Sequence, residues 1–275
     1  MKIFLILWLA LTSLNSFGNS VDLKKIELPN NRTIIVTGHP VYPPVIWATP
    51  DGKELQGVGV ELIRTIFKEI NVNVIFKNVE TWGRAQEEVK NGRIDMLLPP
   101  YKTNDRLALY NYSANAFMMD ETAVFVKKGR EFPFESFKDL LNYKGTAIIN
   151  DSFGSLFDEF DKKNGNITRL PTTEQCFRFV EKDRARFVIA GVNSGFAALT
   201  KLKQEKDFVI LPKRIIATGL YAPIALKSKW NTPEINAFLK KKFEEYNQNG
   251  TIKVLEKKYI SLFREENAKQ PLPKI

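Results

Sequence analysis

The sequence predicts an α/β protein built as two lobes that face each other across a cleft. Three observations carry this: a strand–helix alternation that occurs twice along 275 residues, an extended apolar stretch after each half, and charged or aromatic loops that follow strands. The composition, 44% hydrophobic and 26% charged, is that of an ordinary globular chain long enough for two cores.

In the first half "RTIIVTG" reads as a strand and "GVGVELIRTIFKEI" as a helix, with Leu62, Ile63, Ile66, Phe67 and Ile70 forming its apolar stripe. "VNVIFK" is a second strand, "RAQEEVKNG" a helix stopped by Asn91-Gly92, and "RIDMLLP" a third strand. That order predicts a parallel sheet with helices packed on it. From Gly145 the rhythm returns: strand "GTAIIN", helix "SLFDEFDKKNG", strand "ITRL", helix "TTEQCFRFVEK", strand "RFVIAG", helix "SGFAALTKLK" and strand "DFVILP". Thr172 and Gln175 have capping-box spacing at the start of one of these helices.

The extended stretches "ETAVFVKKG" and "LYAPIALKS" predict a connection leaving the first lobe and one returning, a two-strand hinge. The chain then closes with two helices, "TPEINAFLKKKFEEYNQNG" and "TIKVLEKKYI", the first with Thr232 as cap and Pro233 at its first position. The expected organisation is residues 21–126 plus 216–275 for lobe 1 and 127–215 for lobe 2. Residues 1–20 read as a secretory signal peptide: Lys2, the apolar run Ile3–Leu11, then small residues that allow cleavage after Gly18 or Ser20. That run is far shorter than the roughly 20 residues a membrane-spanning helix needs, so an exported, periplasmic protein is expected.

Cys176 and His39 are each the only residue of their kind, which argues against a disulfide, a cysteine or histidine metal site and a Ser-His-Asp triad, and no cofactor is expected. The net charge of +10 is scattered over mixed-sign helix faces, without the aromatic-interleaved basic stripe of a nucleic-acid binder.

Ligands of open α/β sheets bind beyond the carboxyl ends of the strands. Three first-lobe loops leave from such ends. "GHPVYPPVIWATPDGKELQG" is stiffened by Pro40, Pro43 and Pro44 and carries Tyr42 and Trp47, as cleft wall or as core. "VETWGRA" offers Trp82 and Arg84, either stacked on a ligand or as a lobe plug and a solvated charge. "PPYKTNDRLALYNYS" holds Arg106, three residues after Thr103. Its planar fork of donors suits a carboxylate, the alternative being a structural ion pair. In the second lobe "DSFGS" opens a helix, where Gly154 and Ser155 allow an anion close to exposed amides.

At these residues the chain resembles the family 3 bacterial extracellular solute-binding proteins, the polar amino-acid-binding proteins of ABC importers. The resemblance is carried by "GVGVELIRTIFKEI" after a Pro-Pro loop, "VKNGRIDMLL", the Thr-x-x-Arg of "TNDR", "YSANAF…AVFVKKG", "YKGTAIINDSFGS" and "FEEYNQNGTIKVLEKKY". It implies a type II periplasmic-binding-protein fold and a monomer that captures a small polar, carboxylate-bearing solute, an amino acid or related organic acid, by lobe closure. A membrane permease or a sensor receptor would be its partner. It also implies that Arg106 grips the carboxylate beside Thr103, that Tyr42 and Trp82 are the aromatic walls, and that Gly154 and Ser155 form the facing anion loop. Where the family has an aspartate for the ligand's ammonium, this chain has Gly191, so Asn193, Asp120 or Glu121 would have to take that part. An enzyme on the same scaffold, resembling cyclohexadienyl dehydratases, is the alternative, with His39, Glu80 and Glu121 as its candidate acids.

Overall fold

The computed structural model describes residues 26–112, 115–149, 153 and 155–268. Two five-stranded sheets, each faced by helices, make the two lobes. In the first, β1 (Thr33–Gly38) lies between β5 (Asn73–Phe76) and β6 (Met96–Leu98), parallel to both. The short strand β13 (Ile224–Ala225) follows β6, and β7 (Tyr110–Asn111) follows β13, both pairings antiparallel. The predicted strands are therefore present, and their parallel core is the arrangement that the strand–helix order requires.

The proline-rich loop after β1 is more ordered than the sequence suggests. It folds into a small antiparallel sheet of β2 (Val41–Tyr42), β3 (Ile46–Ala48) and β4 (Leu55–Gln56). Gly57, at φ 129°, then turns the chain into α1 (Val58–Lys68). A β-carbon there would stand 2.5 Å from the Val45 carbonyl oxygen, so only glycine serves. All five apolar residues of the predicted stripe, Leu62, Ile63, Ile66, Phe67 and Ile70, are buried.

The second sheet runs β10 (Ile167–Leu170), β9 (Gly145–Ile148), β11 (Phe187–Gly191), β8 (Met118–Lys127) and β12 (Phe208–Leu220). Here β9 is parallel to its neighbours, while β8 is antiparallel to β11 and β12. The two extended stretches of the sequence differ in outcome. "ETAVFVK" forms the end of β8, with Lys128 and Gly129 just beyond it, whereas the return runs through one long strand, β12, whose register against β8 shifts on either side of Arg214. Helices α4 (Ser155–Asn164), α5 (Thr173–Glu181) and α6 (Val192–Leu202) cover this sheet. The Thr172 hydroxyl accepts from Gln175 N–H as its spacing predicts, but Gln175 Oε1 is buried without a partner, so the reciprocal half of a capping box is not made.

The terminal helices α7 (Pro233–Gln248) and α8 (Thr251–Ala268) share one core with β1 and α1, through Ile235, Phe238, Leu239, Phe243 and Ile252. Among the described residues no helix is long and apolar enough to cross a membrane.

Candidate functional site

The carboxyl ends of β1, β5 and β6 bring the functional side chains together. β1 ends into His39, the segment after β5 leads to α2 (Trp82–Lys90), and β6 ends into Pro99 and Tyr101. Thr81 caps α2, its hydroxyl accepting from Arg84 N–H at 3.2 Å, and this sets Trp82 on the first turn. Arg106 lies in the single turn of α3 (Asn104–Leu107). His39, Tyr42, Trp82, Pro99, Tyr101 and Arg106 enclose a cavity of about 220 Å³.

Arg106 makes no ion pair among the described residues. Its guanidinium donates to the Tyr101 carbonyl and to Gln86 Oε1, each at 3.0 Å. The Tyr112 hydroxyl donates to that same Tyr101 carbonyl at 2.9 Å, so the turn carrying the arginine is held from two sides. Both partners of the guanidinium are neutral, and no carboxylate among the described residues pairs with its charge at the cavity wall, which suits an incoming anion.

His39 is held in one tautomer: its Nδ1 accepts from Val41 N–H at 3.0 Å, leaving the proton of the neutral ring on Nε2. Burial lowers its pKa from 6.5 to about 4, so the ring is neutral at physiological pH. It lies between Tyr42 and Trp82, with ring centroids at 5.6 and 5.4 Å. Both readings of Trp82 contain part of the result, since it packs on a small core cluster and also faces the cavity. Arg84 is a solvated charge, 3.7 Å from Glu80. Trp47 belongs to the core, donating from Nε1 to Glu266 at 3.0 Å.

Behind Tyr42 and Tyr101 lies Asp120, on β8, only 4% exposed. Both tyrosine hydroxyls donate to its Oδ2, that of Tyr101 at 2.5 Å, and Asn193 Nδ2 donates to its Oδ1 at 3.3 Å. The carboxylate therefore joins first-lobe tyrosines to the buried Asn193 at the start of α6. Burial raises its pKa, against the lowering effect of its three donors, and burial beside the carboxylate raises Tyr42 well above the usual phenol range. A β-carbon on Gly191 would sit 3.4 Å from Asp120 Oδ2, so the carboxylate occupies the space into which a longer residue at 191 would point. Glu121 is drawn away to Arg214 at 2.6 Å.

Of the residues expected to touch a ligand, Tyr42, Trp82 and Arg106 share the cavity, and Asn193 joins it through Asp120. Thr103 caps α3 through its carbonyl, which accepts from Arg106 and Leu107, while its side chain is exposed and makes no cap bond. Gly154 lies outside the described residues, and Ser155 is the first residue of α4. Sequence reasoning missed Gln86, the side chain that orients Arg106, and Tyr101. The tyrosine stands in the same loop as Thr103 and could have been found there; nothing distinguishes Gln86 from other helix-surface residues. Among the described residues no group of three or more His, Cys, Asp or Glu is placed to hold a metal ion.

The chain belongs to the bacterial extracellular solute-binding proteins, family 3, whose model matches residues 34–262. No curated protein matches the sequence at a significant level. Among solved structures it is similar to an ancestral cationic amino acid solute-binding protein, with 19% identity, TM-score 0.65, and coverage of 83% of this chain and 95% of that one. A second is the second substrate-binding domain of a putative amino acid ABC transporter from Streptococcus pneumoniae, with 18% identity, TM-score 0.63 and coverage of 82% and 99%. A third is a histidine kinase sensor domain with similarity to periplasmic binding proteins, with 19% identity, TM-score 0.59 and coverage of 83% and 96%. At these identities the likeness is one of fold, the two-lobe type II architecture.

Proposed function

We propose that this protein captures a small polar solute bearing a carboxylate, an amino acid or related organic acid, in the cleft beside Arg106, and that lobe closure retains it. The observation that carries this reading is the guanidinium of Arg106, held by neutral partners alone at the wall of an aromatic cavity. His39 Nε2–H adds a second donor. Tyr42 and Trp82 supply the walls, Asn193 stands behind Asp120, and Thr103, Gly154 and Ser155 are the further contacts proposed for the solute. The cavity is smaller than the roughly 300–1,000 Å³ typical of drug-sized ligands, which favours a solute of few atoms. Asp120 is the best of the three candidates to replace the acidic group missing at Gly191, because Glu121 is occupied and Asn193 carries no charge.

Closure follows if the solute contacts both lobes at once and so favours the shut state. The proposed lobe boundaries, 126/127 and 215/216, fall within β8 and β12, the two strands along which the lobes would pivot. The protein would hand its solute to a membrane permease or present it to a sensor, after export by the leader of residues 1–20.

The test is a thermal-shift screen with amino acids, dicarboxylates and aromatic acids, followed by Arg106→Ala. A solute at 100 times its Kd adds about 2.7 kcal/mol, hence about 5–10 °C for a protein of this size. Each lost charge-assisted bond is worth about 1.5–3 kcal/mol, so the variant should bind at least ~10-fold more weakly while melting within a few degrees of the parent. Unchanged affinity would sink the assignment. Turnover of prephenate or arogenate would replace it with the enzyme reading.

A further inference from the structure

The buried carboxylate of Asp120 has a consequence for which solutes the cleft admits. We infer that Asp120 is a positioning residue that turns Tyr42 and Tyr101 into hydrogen-bond acceptors, so that the cleft selects solutes whose end remote from the carboxylate donates hydrogen bonds. This rests on the reading of Arg106 given above and adds a second, opposite requirement at the other end of the solute.

The argument starts from the inventory of a phenol: one proton to give, and lone pairs to accept. Both hydroxyl protons go to one oxygen of Asp120, from Tyr42 on β2 and from Tyr101 after β6. The two phenol oxygens are 3.4 Å apart, but a carboxylate is the stronger acceptor and takes both protons. Once those protons are committed, whatever meets either oxygen from the cavity meets an acceptor. Both rings line the cavity that Arg106 lines, whereas Asp120 does not line it. The aspartate thus acts through the tyrosines.

Its surroundings keep this polarity fixed. The remaining oxygen accepts from Asn193 Nδ2, so the carboxyl group is held on both sides by neutral donors. The neighbouring Glu121 faces Arg214 instead, and Gly191 brings no side chain. The carboxylate that the phenols themselves meet is therefore that of Asp120, with Glu121 paired to Arg214. An ammonium, guanidinium or amide N–H arriving at the phenol oxygens gains a bond and the attraction of the anion behind them. A second carboxylate arriving there would meet two acceptors and an anion, and it would lose its water without replacement.

A matched pair of probes reads this directly: 5-aminopentanoate and glutarate each offer Arg106 one carboxylate and differ in the group at the far end. Isothermal titration of the purified protein should give 5-aminopentanoate the tighter Kd by about tenfold or more, the worth of one charge-assisted bond. In Asp120→Asn the amide can donate to one phenol and return that hydroxyl proton to the cleft, so the ratio should fall towards one or invert. Tyr42→Phe and Tyr101→Phe should each weaken 5-aminopentanoate and spare glutarate. A proton NMR spectrum supplies a readout free of any solute. Two downfield hydroxyl resonances are expected, lost one at a time in the phenylalanine variants, with at least one lost in Asp120→Asn.

A wild-type ratio near one, a preference for glutarate, a ratio untouched by all three variants, or absence of the hydroxyl resonances would each overturn the inference while leaving the Arg106 reading in place. If neither probe binds and Arg106→Ala alters nothing across the wider panel, the solute-binding reading fails at its root and this inference falls with it.

Discussion

His39 is the one histidine of the chain, which makes its ionisation measurable without interference. Burial beside Trp82 and Tyr42 takes its pKa from 6.5 to about 4, so the folded state refuses a proton that the unfolded chain accepts. Where the unfolded state binds more protons, stability rises with pH. The contribution is therefore neutral above about pH 7.5 and turns increasingly unfavourable as pH falls through 6.5, levelling off below about 4. With those two values, linkage gives a loss of about 2 kcal/mol between pH 7.5 and 5, out of about 3 kcal/mol at full protonation. That corresponds to about 4–8 °C in Tm. The control is His39→Asn, whose side-chain oxygen can still accept from Val41 N–H but cannot titrate. The drop in Tm from pH 7.5 to 5 should be smaller in the variant by that amount, the carboxylates being common to both. The imidazole C2 proton, followed by NMR in protein free of any histidine tag, should not titrate above pH 5. A midpoint near 6.5, with parallel Tm curves for the two proteins, would refute the picture of a desolvated ring and return His39 to solvent.

Two further predictions concern the frame around the cavity. Gly191→Asp would bring a second carboxylate against Asp120, whose oxygens lie 3.4 and 3.6 Å from the new β-carbon. Repulsion raises a carboxyl pKa, so its penalty is full above that pKa and fades as pH falls through it. About 1–3 kcal/mol should be lost at pH 7 and less at pH 4, with Asp120→Asn in the same chain restoring the urea midpoint; a pH-independent loss would mean steric strain instead. Thr81→Ala removes the cap of α2 and should cost about 1 kcal/mol by chemical denaturation while loosening Trp82, seen as a red shift or quenching of its fluorescence. An unchanged midpoint would show that the cap bond is not a stability determinant.

Much of the architecture was legible because it follows from periodicity. The stripe Leu62, Ile63, Ile66, Phe67 and Ile70 could only be the inner face of a helix, and the strand–helix order fixed a parallel sheet. The place of Arg106 at the cavity wall was legible as well, since its loop leaves the carboxyl end of a strand. What escaped depends on which residues meet in space, near or far along the chain. The β2–β4 sheet arises from pairings such as Val41 with Trp47 inside a segment whose prolines signal only a stiff loop. Tyr101 and Gln86 gain their importance from Arg106, and Asp120 from tyrosines 78 and 19 positions earlier. In sequence Asp120 and Glu121 are an interchangeable pair of acids. Strand alternation points one towards the cavity wall and the other towards Arg214.

The order β5-β1-β6-β13-β7 has a consequence for how the chain is made. β7 is synthesised directly after the β6 region but touches the sheet only through β13, more than a hundred residues later. The whole second sheet, Met118 to Leu220, lies between them. A nascent chain can therefore complete its second lobe while the first still lacks β13, α7 and α8, and Ile224 and Ala225 then close the seam between β6 and β7. Trp230, fully buried against Phe67, then locks it. Chains ending before about residue 220 should hold a finished second lobe beside an incomplete first one, in which the apolar face of α1 lacks the cover of α7 and α8.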